Sequence, residues 1–181
     1  MNIVNVCSKY DVFLERNKIT NDFIVSFVLK NDNVPLNHIA DYSFFKILSD
    51  INDDVLEDVV VEIDSTDYNK SNMFFLFKPV AKEFGILSKC MSVNTIKEQK
   101  GNMITFESKN FDFMPDNMKM YEKITCKYSK LDIQIINDNL LHVKYTFNID
   151  IHEELPVYMH NLIGMLMKKI LLKSKVFIES I

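Results

Sequence analysis

Apolar and polar residues alternate most cleanly in "LLHVKYTFNIDI". Leu141, Val143, Tyr145, Phe147, Ile149 and Ile151 share one parity, and His142, Lys144, Thr146, Asn148 and Asp150 share the other. A two-residue period of this kind predicts a strand with one buried face and one wet face. "DFIVSFVLKND" repeats the pattern, with Phe23, Val25, Phe27 and Leu29 on one side. Between these two, "VLEDVVVEID", "SNMFFLFKPV", "ILSKCMSVNTIKE", "NMITFESKNF", "MKMYEKITCKYSK" and "LDIQIIND" read as further strands. Polar turns such as "STDYNK", "KEQKGN" and "INDN" separate most of them, which predicts an antiparallel meander. "VPLNHIADYSFFKILSDI" differs in period: proline opens it, and Leu36, Ile39, Phe44, Ile47 and Leu48 follow a helical stripe, enough for one or two short helices.

Residues 155–176 predict a closing helix. Acidic Glu153 and Glu154 precede it, and Lys168, Lys169, Lys173 and Lys175 lie in its second half, matching the helix macrodipole. Its apolar residues exceed a narrow stripe, so more than one face is covered, as in a helix laid across the concave side of a curved sheet. Residues 1–20 give no clear element. With no repeat or linker, and with all four prolines near element boundaries, residues 1–181 read as a single domain.

Composition narrows the functional classes. A net charge of -4 provides no basic excess to release counterions from nucleic acid, so no nucleic-acid partner is expected. Lys outnumbers Arg twenty to one and Trp is absent, the imprint of an A+T-rich genome. Cys7, Cys90 and Cys126 form no paired spacing, which predicts reduced thiols rather than disulfides or a zinc knuckle. The amino terminus lacks the pattern of a secretory leader, and no apolar run is long enough to span a bilayer. A cytoplasmic protein, with peripheral membrane contact as a variant, is the expectation.

Three stretches carry a family resemblance: "NDNVPLNHIADYSFFKILSDI", "FFLFKPVAKEFGILSKCMSV" and, most specifically, "VKYTFNIDIHEELPVYMHNLIGMLMKKIL" with Pro156 and Asn161. Together they resemble the START-like (SRPBCC, helix-grip) superfamily of lipid-transfer domains, polyketide cyclases and pollen-type allergens, over about residues 21–178. The resemblance implies an α+β helix-grip fold, a curved antiparallel sheet of about seven strands wrapped around a long C-terminal helix. It also implies a tunnel between sheet and helix for a lipid or other hydrophobic small molecule, bound and transferred without covalent chemistry.

Flat and deformable side chains suited to such a tunnel are Phe75, Phe77, Phe106, Tyr145 and Phe147, joined by Met159, Met165 and Met167. Leu162, Ile163, Leu166 and Ile170 are expected to face the sheet beside a continuous apolar void of several hundred Å³, roughly the scale of a ligand site. Ordinary core packing is the competing reading for each of them.

Chemistry-bearing motifs are scarce. "HEELPVYMH" places Pro156 where a zinc-protease helix needs its second histidine, and His38, His142, His152 and His160 share no repeated spacing, so no metal is expected. No GxSxG elbow or Gly-rich phosphate loop occurs, and neither catalytic residues nor a cofactor are predicted. Two rival readings stay open: a cyclase or hydratase using Glu107, Ser108, Tyr128 or His142, and a ligand-free module that binds a protein partner. "NFDFMPDNMKM" puts Phe111, Phe113, Met114, Met118 and Met120 around Pro115, where turn chemistry favours polar residues. This loop is either a lid or membrane-contacting tip, in which the helix lysines add attraction to anionic lipid, or a segment folded back on the core.

Overall fold

A computed structural model describes residues 2–79, 87–152 and 159–181. The alternating segments join in one ten-stranded sheet. Its strands are β1 (Ile3–Lys9), β2 (Val12–Asn17), β3 (Phe23–Lys30), β4 (Leu56–Ile63) and β5 (Lys70–Phe77). They continue with β6 (Lys89–Lys100), β7 (Met103–Asn110), β8 (Glu122–Lys123), β9 (Thr125–Asn137) and β10 (Leu140–Asp150). The spatial order is β1-β2-β3-β10-β9-β7-β6-β5-β4, all antiparallel, with β8 added parallel to β6. Helix α1 (Ser43–Ile51) follows a short 3-10 turn at Leu36–His38, and α2 (Leu162–Ser180) closes the chain. The α+β architecture of curved antiparallel sheet and long C-terminal helix matches the expectation.

The strand count exceeds it because of β8 and the β1–β2 hairpin. Lys9 pairs with Val12 across Tyr10 (φ 51°) and Asp11 (φ 57°), both left-handed, so the hairpin turns on two residues. That geometry normally advertises itself as Asn-Gly or Asp-Gly, and Tyr-Asp hides it. Two other expectations need correction. "MKMYEKITCKYSK" and "LDIQIIND" are not separate strands, because β9 runs unbroken from Thr125 to Asn137. The apparent break came from Lys127 and Lys130, which alternate with buried Cys126, Ser129 and Leu131. Helix α2 begins at Leu162 after a turn at residues 159–161, so it is not continuous from the expected start; residues 153–158 lie outside the described residues.

Helix α2 is seated at several points along its length. At Gly164 a Cβ would stand 2.4 Å from Phe23 Cδ1, so glycine permits the close approach to β3. The Asn52 side-chain amide, fully buried, donates to Leu48 O of α1 and to Ile170 O and Ser174 Oγ of α2. Near the end of α2, Asn31 Nδ2 donates to Ile178 O at 2.6 Å and to Ile181 O at 3.2 Å, giving acceptor groups of a helix end the donor they lack. The lysines of α2 are paired within this framework. Lys168 is buried and donates to Cys7 O at 3.2 Å, while Lys169 and Lys173 pair with Asp54 and Lys175 with Glu179. Of the four lysines expected to attract anionic lipid, Lys168 is thus buried and the other three stand beside carboxylates.

Hydrogen bonds from Lys169 and Lys173 lower the Asp54 pKa from 3.8 to about 2. A carboxyl depressed by folding contributes stability that is present above its unfolded value and lost as pH falls through the folded one. Stability should therefore decline between pH 3.8 and about 2. Because the three side chains are 41–57 % exposed, screening limits the loss to about 1 kcal/mol or less. Denaturant titrations should show that Asp54→Asn flattens this acid limb and leaves neutral-pH stability within the same margin.

Candidate functional site

Inward-facing residues of the sheet form the floor of an interior site. On β5 these are Met73, Phe75 and Phe77, paired in register with Val93, Met91 and Lys89 of β6. On β10, Tyr145 stands opposite Leu131 of β9, which in turn faces Phe106 of β7. Helices α1 and α2 supply the roof.

Three adjoining chambers lie between floor and roof. The outer one is bounded by Phe77, Leu87 and Ile151 on one side and by Leu162, Ile163 and Leu166 on the other. Lys89 also lines it, buried and paired with Glu122, and Leu87 at its margin is 54 % exposed. The middle chamber lies under Phe44, Phe45 and Leu48 of α1 and Met167 and Ile170 of α2. The deep chamber is enclosed by Phe45, Met73, Phe106, Ser108, Ser129 and Tyr145.

Their volumes, as room for the centre of a water-sized sphere, are about 40, 50 and 20 Å³. A single water needs about 10–15 Å³ on this measure, so each holds at most a few. The expected continuous void of several hundred Å³ is thus subdivided. The dividers are side chains: Phe77 and Met167 border both outer and middle chambers, and Phe75, Met91 and Tyr145 border both middle and deep ones. Rotation of unbranched methionine stems is a low-cost way to join such spaces.

Nine of the expected lining residues surround these chambers: Phe75, Phe77, Phe106 and Tyr145 from the sheet, Leu162, Ile163, Leu166, Met167 and Ile170 from α2. Phe147 does not. Its ring is stacked between Phe23 at 5.7 Å and Tyr145 at 4.9 Å, which makes it packed core. Met159 is buried away from all three, and Met165 points outward, 55 % exposed. Sequence reasoning missed the α1 wall of Phe44, Phe45 and Leu48; its helical stripe was visible, but not the surface it faces.

The lid needs correction as well. Phe111, Phe113 and Met114 do not cover a chamber. Met114 and Met118 pack with Phe74, Leu76 and Cys90, whose parity on β5 and β6 is opposite to that of the lining residues, so the loop sits on the other face of the sheet. Phe111 and Phe113 flank Phe74 at 6.4 and 6.1 Å. Burial of an otherwise exposed strip of sheet explains the apolar loop.

Of the rival catalytic candidates, Ser108 alone faces a chamber; Glu107 and His142 are exposed on the opposite parity of their strands, and Tyr128 falls on the parity of Lys130 and Asp132. Among the described residues, no group of three or more His, Cys, Asp or Glu could hold a metal ion. None of the described helices is long and apolar enough to cross a membrane.

Void borders should show in stability. Leu141 is 2 % exposed in solid core, and Leu141→Ala is expected to cost about 2–5 kcal/mol. Leu166 already borders empty space, so Leu166→Ala should cost only about 1 kcal/mol. Urea midpoints of the two variants make the comparison, and equal losses would mean that the outer chamber is filled in solution.

No family model matches the sequence, and no curated protein matches it. Solved structures do. The human StarD13 (DLC2) lipid transfer and protein localization domain superposes with a TM-score of 0.75 at 12% identity, covering 96% of this chain and 87% of that one. The STAR-related lipid transfer protein of Xanthomonas axonopodis gives 0.64 at 10% identity, with 99% and 98% covered. The chain has a START-like fold. The START-like scaffold also carries the Zhui aromatase/cyclase of Streptomyces sp. R1128, at a TM-score of 0.51 and 6% identity over 88% of this chain and 91% of that one. Identities this low speak for the fold, and function has to be argued from the chambers.

Proposed function

We propose that this START-like protein binds a lipid or similar apolar small molecule between the sheet and α2, and carries it without covalent chemistry. One observation carries the reading. Phe75, Tyr145, Leu166 and Met167 lie on inward faces yet keep accessible surface, because they border space rather than one another. In a solid interior these side chains would interlock. The likeness to lipid-transfer domains supports the same class of ligand. The arrangement favours carriage over a cyclase because, among the described residues, no acid–base pair lines the middle or deep chamber. A cytoplasmic carrier would exchange its cargo during transient membrane contact, for which Phe113 and Met120, 55 % and 81 % exposed, are available apolar groups.

The direct test is native mass spectrometry of the purified protein, with extraction of whatever is retained. After delipidation, uptake of a solvatochromic apolar dye is measured. A retained lipid-class molecule, or saturable dye uptake that added lipid reverses, is the expected result. A protein that is empty as purified and takes up no dye would end the carrier reading.

A further inference from the structure

Four adjacent strands each place one hydroxyl residue in a single row across the inner face. Ser71 of β5 pairs with Thr95 of β6, Thr95 with Ser108 of β7, and Ser108 with Ser129 of β9. They are 2 %, 0 %, 6 % and 5 % exposed. Everywhere else on this floor the inward positions are largely apolar, and four buried hydroxyls in a row forgo the burial gain of valine or isoleucine at each step. Thr95 Oγ1 and Ser108 Oγ lie 2.8 Å apart, so one of their two hydrogens is engaged there and the other remains for a further acceptor. Ser129 and Tyr145 line the same chamber, and burial pushes the Tyr145 phenol above its ordinary pKa, so its hydroxyl stays neutral over the whole working range.

Three of these groups, Ser108, Ser129 and Tyr145, meet in the deep chamber. Its 20 Å³, against the roughly 10–15 Å³ that one water needs, has room for one small polar group. Among the described residues, no charged side chain lines it or the middle chamber that adjoins it. An isolated ion there would face a desolvation penalty with nothing to offset it, whereas a small neutral dipole meets hydroxyls that both donate and accept.

We infer that the deep chamber receives the uncharged hydrogen-bonding tip of an amphiphile, a single hydroxyl or carbonyl, whose apolar body lies in the middle and outer chambers. This rests on the carrier reading above and narrows its ligand class: the tip that enters first is neutral, and a bulky or ionised head group stays outside at the Leu87 margin.

The test uses three probes of equal chain length, decanol, decane and decanoate, competing with the apolar dye on the delipidated protein. Decanol should displace the dye roughly ten-fold more tightly than decane, the worth of one well-made buried hydrogen bond. In Tyr145→Phe and in Ser129→Ala that advantage should shrink to about two-fold or less, while decane and decanoate keep their affinities. Thermal melts confirm that each variant is folded, and Ser108→Ala serves as a further variant if either is not. Equal binding of decanol and decane to the unaltered protein would mean that the chamber holds only water, and the inference falls. It falls equally if all three probes weaken in parallel in the variants, since that reports a reshaped cavity. Failure of every probe to displace a bound dye, or failure of the dye to bind, would instead reject the carrier reading itself.

Discussion

Alanine at Gly164 lowers the denaturation midpoint, by about 1–3 kcal/mol of stability. The sign is the informative part, because alanine for glycine inside a helix is ordinarily worth about 1 kcal/mol in the other direction. Here the new methyl would lie 2.4, 2.6 and 3.0 Å from three atoms of the Phe23 ring. That ring has little freedom to step aside. Phe147 stacks on it at 5.7 Å, and the Arg16 guanidinium lies 5.4 Å from its centre while bonded to Asn161 at the start of α2. Overpacking should therefore outweigh helix propensity. Combining Gly164→Ala with Phe23→Leu should recover part of the loss, as expected for two side chains in direct conflict. A single variant more stable than the parent would mean that α2 is not seated on Phe23.

Phe106→Ala is expected to cost about 3–5 kcal/mol, and to do so while enlarging the site. Phe106 is 1 % exposed, and Tyr42 and Phe45 meet it edge-on, each at 5.4 Å between ring centres. These two rings belong to the segment containing α1, so truncation removes contacts between helix layer and sheet as well as the side chain's own burial. The vacated volume adjoins the deep chamber. Benzene should then raise the melting temperature of the variant by more than it raises that of the parent, since a ligand that binds only the folded state stabilises it by mass action. A loss below about 1 kcal/mol would show that neighbouring side chains collapse into the gap.

How far the sequence foretells this molecule depends on whether information is local. In β10 each residue's parity announces its face, and the structure follows it from Leu141 to Phe147. The β1–β2 hairpin is invisible because its turn is held by strand pairing on either side of Tyr10 and Asp11 rather than by a glycine. The break imagined in β9 shows the converse error, since lysines on the wet face of a long strand look like the edge of a short one.

The site divides the same way. Parity correctly sends Tyr145 and Phe147 to the inner face, but only the neighbours decide that Tyr145 borders space and that Phe147 is sandwiched solid. The aromatic loop misled for a related reason. Alternation reveals that Phe74 and Leu76 lie opposite Phe75 and Phe77, and a strand buried on both faces needs a second cover, which Met114 and Met118 provide. The hydroxyl row was beyond reach because serine and threonine are unremarkable in any one strand, and their alignment exists only once the register across four strands is known.

The pairing of β3 with β10 governs the order in which the molecule can assemble. Leu29 meets Leu141, and just past the same end of β3 Asn31 bonds to Ile178, 147 positions away. Closing so long a loop is entropically unfavourable and slow compared with local hairpins. During synthesis β3 can pair with β2, but its other edge, rich in Phe and Val, waits for nearly all the intervening chain to emerge. Throughout that interval it is an open template for another strand. The vulnerability of this fold thus lies less in its finished interior than in the time its third strand spends without its tenth.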